Sequence, residues 1–313
     1  PRTQHARIRL PARPLMRWWE RVSFPKVEST TGPVDVVHGP NFFVPPTRAP
    51  SVVTVHDLAF VRYPETLKPA VLQRLNRSLR RTVAKASAVI VQSEFTAKEL
   101  LSWVGEASQI ESKVHAVPLG VRPEFLDPSG EAGMSGEPPY LFWSGAIEPR
   151  KNLGSLIEAL ALLRRTQEIR LVIGGTKGWS EDLQNLIKRE EVVDAVTFAG
   201  YLSNADMARK MASAACFEFP SVYEGFGMPV LEAMAAGTPV VAARSGSIPE
   251  VAGDAALLVD PYNVSELAEA IRSILDSESL RKQLIDKGRD RARSFTWEAT
   301  ARATAEVYRQ IAN

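Results

Sequence analysis

Two α/β domains, each a doubly wound, Rossmann-like layer of helices on a parallel sheet, are what this 313-residue sequence predicts. Three observations carry the prediction. The length suits two domains of about 150 residues each. From Val34 onward, short apolar runs alternate with amphipathic stretches, the spacing of parallel strands joined by right-handed helical crossovers. Between the halves lies DPSGEAGMSGEPP (127–139), rich in Gly, Pro, Ser and Glu and without apolar period, as a linker is. A hydrophobic share of 45% against 24% charged residues is the balance of a globular chain that buries a real core.

In the first half, VDVVHG (34–39), SVVTVHD (51–57), SAVIVQS (87–93) and KVHAVPLG (113–120) are runs of branched apolar residues bounded by polar or turn residues, and read as strands. The helices LKPAVLQRLNRSLRRTVAKA (67–86) and EFTAKELLSWVG (94–105) lie between them. After the linker the alternation is regular. Strands are expected at YLFWSG (140–145), RLVIGG (170–175), AVTFAG (195–200), CFEFP (216–220) and PVVAA (239–243). Helices are expected at NLGSLIEALALLRR (152–165), SEDLQNLIKREE (180–191), NADMARKMASA (204–214) and PVLEAMAAG (229–237). No run approaches the ~20 apolar residues of a membrane span.

Charge and composition exclude several functions. The net charge of +2 splits into about +5 over residues 1–139 and −3 over 140–313. That total is too balanced for a protein that binds nucleic acid by neutralising many phosphates. A single cysteine, Cys216, rules out a disulfide scaffold and suits a reducing, cytoplasmic setting. The four histidines are far apart and no two aspartates stand two residues apart, so neither a histidine metal centre nor a D-x-D metal motif is present. GGTKG (174–178) lacks the Lys-Ser/Thr ending of a phosphate-binding P-loop.

The segment FPSVYEGFGMPVLEAMAAGTPVVAA (219–243) carries the densest chemistry. A strand ends at Pro220, and a helix starts with Pro229 in its first turn, where the missing N–H costs nothing. Gly225 and Gly227 let backbone pass close to a ligand, and the amides at the helix start make an anion site. Glu224 lies on the carboxyl side of the strand, where open α/β sheets bind ligands, and Glu232 follows in the helix's first turn. Two carboxylates at one crevice are suited to the hydroxyls of a sugar and a ribose, with a phosphate between them on the amides. His56 and Asp57, at the end of SVVTVHD, emerge at a strand's carboxyl edge in the other half. His38 ends a strand without a comparable motif and is read as structural.

EGFGMPVLE resembles the E-x7-E signature of retaining glycosyltransferases of family 4. The likeness continues in SGAIEPRKNLGSLIEAL (144–160), VTFAGYLSNADM (196–207), SGSIPEVAGDAALLVDP (245–261) and FTWEATARATAEVYRQI (295–311). In the first half HGPNFFVPP, VHDLAFVRYPE, ASAVIVQSEFTAKEL and AVPLGV fit the same family. The resemblance implies the GT-B fold, two Rossmann-like domains facing a cleft. It sets an acceptor-side domain at 1–127, a linker at 128–139, a nucleotide-sugar donor domain at 140–294 and a last helix, 295–313, crossing back to the first domain. By the family's pattern the first domain lacks an opening strand and glycine-rich turn before Pro1.

By position, the resemblance gives Glu224 the donor sugar hydroxyls, Glu232 the ribose, and the amides around Phe226–Met228 the diphosphate. Gly145, Arg150, Gly225 and Gly227 complete the donor site, and Lys151 is the phosphate-binding lysine. His56 stands near the reacting carbon and the acceptor, with Asp57 beside it. Many members carry an arginine after the glycine at Gly145, but Ala146 stands here, so charge stabilisation rests more heavily on Lys151, with Arg150 either assisting or pointing to solvent. The resemblance implies a retaining hexosyltransferase that needs no metal or other cofactor. It favours GDP-mannose as donor, then UDP-glucose, and a polysaccharide or lipid-linked acceptor. The competing expectations are a non-catalytic nucleotide-sugar-binding remnant and a GT-B sugar-nucleotide epimerase; the E-x7-E setting argues against the latter. The basic helix at 67–86, with Trp18 and Trp19 upstream, suggests peripheral contact with anionic lipid at the inner face of the membrane.

Overall fold

The computed structural model describes residues 11–19, 21–105, 109–128, 139–175 and 180–312. All but the ends of the expected linker at 128–139 falls outside them, as do Thr176–Gly178 of GGTKG. The chain divides into two compact units, Pro1–Pro118 with Thr300–Asn313, and Leu119–Ala299.

In the first unit four parallel strands stand in sequence order: β1 (Val37–Gly39), β2 (Ser51–Val55), β3 (Ala88–Val91) and β4 (Val114–Ala116). Its helices are α1 (Ala12–Trp19), α2 (Glu28–Thr31), α3 (Ala59–Arg62), α4 (Pro69–Lys85) and α5 (Glu94–Val104). The apolar runs of β2 and β3 send alternate residues to opposite faces, as the strand period requires. Val53, Val55, Val89 and Val91 meet Leu79 and Val83 of α4 on one face. Val52, Ala88, Ile90 and Val117 meet Val307 on the other.

The second unit opens with α6 (Pro123–Leu126) and holds a six-stranded parallel sheet. Its strands are β5 (Tyr140–Ser144), β6 (Arg170–Gly174), β7 (Val196–Gly200), β8 (Cys216–Phe219), β9 (Val240–Ala243) and β10 (Leu257–Val259), in the order β10-β9-β8-β5-β6-β7. Helices α7 (Leu153–Leu163), α8 (Ser180–Arg189), α9 (Asn204–Ser213), α10 (Met228–Ala235), α11 (Ile248–Ala252), α12 (Val264–Asp276) and α13 (Glu278–Arg293) accompany it. Leu141, Trp143, Cys216 and Val241 enter one core layer, Phe142, Phe217, Phe219 and Val240 the other. Burial on both faces is why these strands read as unbroken apolar runs. Serine caps begin α5, α9 and α13: the hydroxyls of Ser93, Ser203 and Ser277 accept from the amides of Thr96, Asp206 and Leu280. The last helix, α14 (Trp297–Ala312), starts in the second unit and ends in the first.

The first boundary differs from the expected 127. Residues 119–127 belong to the second unit because Val121 and Phe125 are buried in its core and α6 packs on α9 and α10. The switch to the first unit at the other end comes at Thr300, a few residues after the expected 295, since the start of α14 still packs in the second unit. A Cβ on Gly120 would lie 2.2 Å from the Trp297 nitrogen. Among the described residues no helix is long and apolar enough to cross a membrane.

Candidate active site

The second sheet reverses its winding direction beside β5. The chain leaves β5 for β6 and β7 on one side, then returns to place β8 on the other. Loops leaving the carboxyl ends of β5 and β8 therefore diverge and open a crevice, the place where open α/β sheets bind ligands. The β5 loop brings Arg150 and Lys151, and the β8 loop brings Glu224 through Gly227.

Lys151 closes a single tight turn, Pro149–Lys151, and Asn152 follows in the left-handed region at φ 53° before α7 begins. The turn aims Lys151 inward. Its Nζ donates to Glu224 Oε1 at 2.5 Å and stands 5.1 Å from the centre of the Phe219 ring, and both charged residues are only 8% exposed. Ser221 Oγ donates to the same Oε1 at 2.5 Å, and Arg150 Nη1 approaches it at 3.5 Å. Arg150 also holds Glu148 at 3.0 Å and the Tyr223 carbonyl at 3.2 Å, so it belongs to the site rather than to solvent. Backbone fixes Glu224 from behind. Its carbonyl accepts from the amide and hydroxyl of Ser247, at 3.2 and 3.0 Å. Gly246, at φ 58°, passes so close that a Cβ there would lie 2.7 Å from that carbonyl oxygen.

Gly227, left-handed at φ 96°, turns the chain into α10, with Pro229 in its first turn. The amides of Phe226, Gly227 and Met228 have no hydrogen-bond partner among the described residues, so this helix start presents donors and the positive end of its dipole. Glu232 sits in the second turn of α10 rather than the first, because the helix begins at Met228. It is 2% exposed, and its Oε1 accepts from Arg122 Nε at 2.6 Å. Arg122 Nη1 in turn donates to Asn204 Oδ1 at 2.5 Å. Burial pushes the Glu232 carboxyl above its ordinary value and Arg122 pulls it part of the way back, while the bond to Glu232 holds Arg122 charged.

His56 and Asp57 lie in the first unit, just past the end of β2. Both ring nitrogens of His56 are engaged: Nε2 meets the Pro40 carbonyl at 2.9 Å, and Nδ1 meets Gln92 Nε2 at 2.5 Å. A carbonyl accepts and an amide nitrogen donates, so Nε2 donates to Pro40 and Nδ1 accepts from Gln92. Asp57 Oδ1 accepts from the Ala59 amide at 2.9 Å and steadies the start of α3. His38 is structural, as expected. It bonds Tyr308 at 2.5 Å and Thr54 at 2.8 Å, and burial lowers its proton affinity.

Comparison with known proteins places this geometry. A family model described as "Glycosyl transferases group 1" matches residues 129–291, and one described as "Glycosyltransferase Family 4" matches residues 1–125. The chain belongs to the group 1 glycosyl transferases. It is 30% identical over 286 residues to the O-antigen chain mannosyltransferase B of Escherichia coli, covering 88% of this chain and 74% of that protein. It is 33% identical over 231 residues to an MMP alpha-(1->4)-mannosyltransferase of Mycolicibacterium hassiacum, covering 72% of this chain and about half, 53%, of that protein. Among solved structures, the sucrose-phosphate synthase of Thermosynechococcus elongatus superposes with a TM-score of 0.76 at 26% identity, covering 88% of this chain and 73% of that one.

In this glycosyl transferase the structure gathers Arg150, Lys151, Glu224 and the α10 start at one crevice of the second unit. Gly145 ends the neighbouring β5 edge, its amide bonded to the Gly174 carbonyl at 3.0 Å. Four contributors were not expected from the sequence. Ser221 lies inside the FPSVYEGFG motif and could have been found there. Ser247 and Gly246 stand more than twenty residues beyond Glu224, and Arg122 is 110 residues from Glu232. No local pattern links those pairs; the sheet order does.

Proposed function

We propose that this glycosyl transferase moves a hexose, mannose first among candidates, from a nucleoside diphosphate sugar to a hydroxyl acceptor on a glycan or lipid-linked glycan. The transfer keeps the anomeric configuration and uses no metal ion. The observation that carries this reading is the buried Lys151–Glu224 contact of 2.5 Å at the carboxyl ends of β5 and β8, beside the start of α10. It puts a cation, an acceptor carboxylate and free amides within one crevice, which is what a sugar diphosphate requires. The names of the two mannosyltransferase relatives support mannose.

In the proposed reaction the bond between the anomeric carbon and the diphosphate oxygen breaks as the acceptor oxygen bonds the same face of that carbon. The acceptor proton passes to the departing phosphate oxygen. Negative charge grows on the diphosphate, and Lys151 and the amides of Phe226–Met228, with Arg150 at the rim, stabilise it where it forms. Glu224 keeps Oε1 for Lys151 and Ser221 and presents Oε2 to sugar hydroxyls, while Glu232 takes the ribose. His56 and Asp57 are the proposed acceptor-side groups.

The test is a thermal-shift panel of GDP-mannose, UDP-glucose and an ADP-sugar, followed by turnover and by proton NMR of the product's anomeric coupling. Stabilisation by GDP-mannose with a retained linkage is expected. An inverted product would overturn the mechanism. Activity lost in EDTA and restored by Mg²⁺ or Mn²⁺ would overturn the metal-free assignment, and binding without turnover would leave only a donor-binding protein.

A further inference from the structure

One side chain ties three strand ends of the first unit together. β1, β2 and β3 are neighbouring parallel strands, and the residue that follows each, Pro40, His56 and Gln92, stands at the same carboxyl edge of the sheet. The His56 ring bridges the other two. Its Nε2 donates to the Pro40 carbonyl at 2.9 Å, and its Nδ1 accepts from the Gln92 side-chain amide at 2.5 Å. Packing backs these bonds: the Phe42 ring stands edge-on to His56, centroids 5.9 Å apart, and to Phe60 at 6.3 Å. Phe42 itself is left-handed at φ 57°, a region that aromatic residues seldom enter, and its amide donates to the Thr54 carbonyl at 3.0 Å. A Cβ on Gly39 would lie 1.9 Å from the Phe43 carbonyl oxygen, so the Pro40–Phe43 loop folds back tightly on the end of β1.

The chemistry of the two partners decides what the ring can do. A backbone carbonyl only accepts, so Nε2 must bring the proton of that bond. Gln92 differs, because its amide carries both a donor and an acceptor, and it turns the donor toward Nδ1. Neither ring nitrogen then keeps a lone pair for the proton of an acceptor hydroxyl. This suits the proposed transfer, in which that proton goes to the departing phosphate oxygen: His56 contributes place rather than basicity. A carboxylate in the position of Gln92 would only accept, and would demand a proton on Nδ1.

We infer that Gln92 is a positioning residue for the transfer: it holds His56 with the proton on Nε2 and Nδ1 occupied, so that the ring locates the acceptor and takes no proton from it. The inference rests on the reading of His56 as an acceptor-side group, but its first measurement does not. Nitrogen-15 NMR of the histidine-labelled full chain reads the ring directly, with the His56 signals assigned by their loss in His56→Asn. Nε2 protonated and Nδ1 unprotonated are expected in the unmodified chain. Gln92→Glu keeps the side-chain length and should put a proton on Nδ1, and Gln92→Leu should leave the two tautomers mixed. Circular dichroism of each variant separates a changed ring from a lost fold. In steady-state kinetics Gln92→Leu should lower kcat/KM for the acceptor about tenfold or more and leave donor KM within about twofold. Gln73→Leu, on the exposed face of α4, should change neither. A protonated Nδ1 in the unmodified chain, His56 signals unmoved in both Gln92 variants, or full acceptor kinetics in Gln92→Leu would each overturn the inference. The expected spectra without transfer from any donor would instead overturn the proposed reaction, and the part of His56 and Gln92 in it.

Discussion

Glu224 offers one oxygen to Lys151, Ser221 and Arg150, so its orientation is over-determined before any substrate arrives. Ser221 holds the carboxylate and the carboxylate holds the lysine. In the proposed reaction, replacing Lys151 by Ala removes a cation that stabilises the developing diphosphate charge. We expect kcat to fall by about 10² to 10³-fold, the usual loss of one preorganised transition-state group, with a smaller change in donor KM, read by steady-state kinetics. Arg122 acts through Glu232. With Arg122→Ala the buried Glu232 loses its partner, and stability should drop by about 1–3 kcal/mol in urea titration. The pH consequence has a definite sign. Burial already raises the Glu232 carboxyl and Arg122 opposes that rise, so removing Arg122 raises it further. In the proposed reading Glu232 binds ribose in its ionised form, so the acid limb of kcat/KM should move to higher pH in Arg122→Ala, while Arg122→Lys should reduce that shift.

At the scale of elements, the loop after β9 and the strand β8 carry separate risks. Gly246→Ala would force a left-handed Ala and push on the Glu224 backbone. We expect donor affinity to fall at least tenfold while the unfolding temperature changes little, since a backbone displacement there moves Glu224 rather than the core. Inside β8, Glu218 is 0% exposed, on the same face as Cys216, and neither carboxylate oxygen has a hydrogen-bond partner among the described residues. Burial raises its proton affinity well above the ordinary 4.5. The folded chain therefore keeps a proton that the unfolded chain releases, and stability falls as pH rises past 4.5, by up to about 1.4 kcal/mol per unit. Glu218→Gln should flatten that decline in denaturant titrations at several pH values. The strands around these sites were legible because parallel strands buried on both faces read as unbroken apolar runs, as in VVAA or AVIV. Glu224 was legible because glycines and a proline mark its loop, and Lys151 only through the family resemblance. Arg122, Ser247 and β10 were not, since each is defined by what the sheet order brings beside it.

At the scale of the whole molecule, α14 is the element that both units share. Val307 is 4% exposed and packs with Val52, Ile90 and Val117, while Tyr308 bonds His38 at 2.5 Å. Val307→Ala should therefore cost about 1–3 kcal/mol and lower a calorimetric transition belonging to the first unit. The transition of Leu119–Ala299 should hold its temperature, and a common shift of both would show that the units melt as one. The expected boundary at 127 failed here for a related reason. A sequence break marks where the chain lacks regular structure, whereas a unit ends where burial changes hands, and Phe125 lies beyond that point.

The double crossing at Pro118/Leu119 and Ala299/Thr300 sets a timetable for biosynthesis. Domains made on the ribosome ordinarily mature from the amino end. In this chain the early residues must wait: one face of the β-sheet of 37–116 lacks its contact with Val307 until all of Leu119–Ala299 has been made. The later-born unit is thus complete first. The earlier one spends that interval with Val52, Ile90 and Val117 lacking their contact with Val307, and a ribosome stalled near codon 299 would leave a finished second unit attached to an unfinished first.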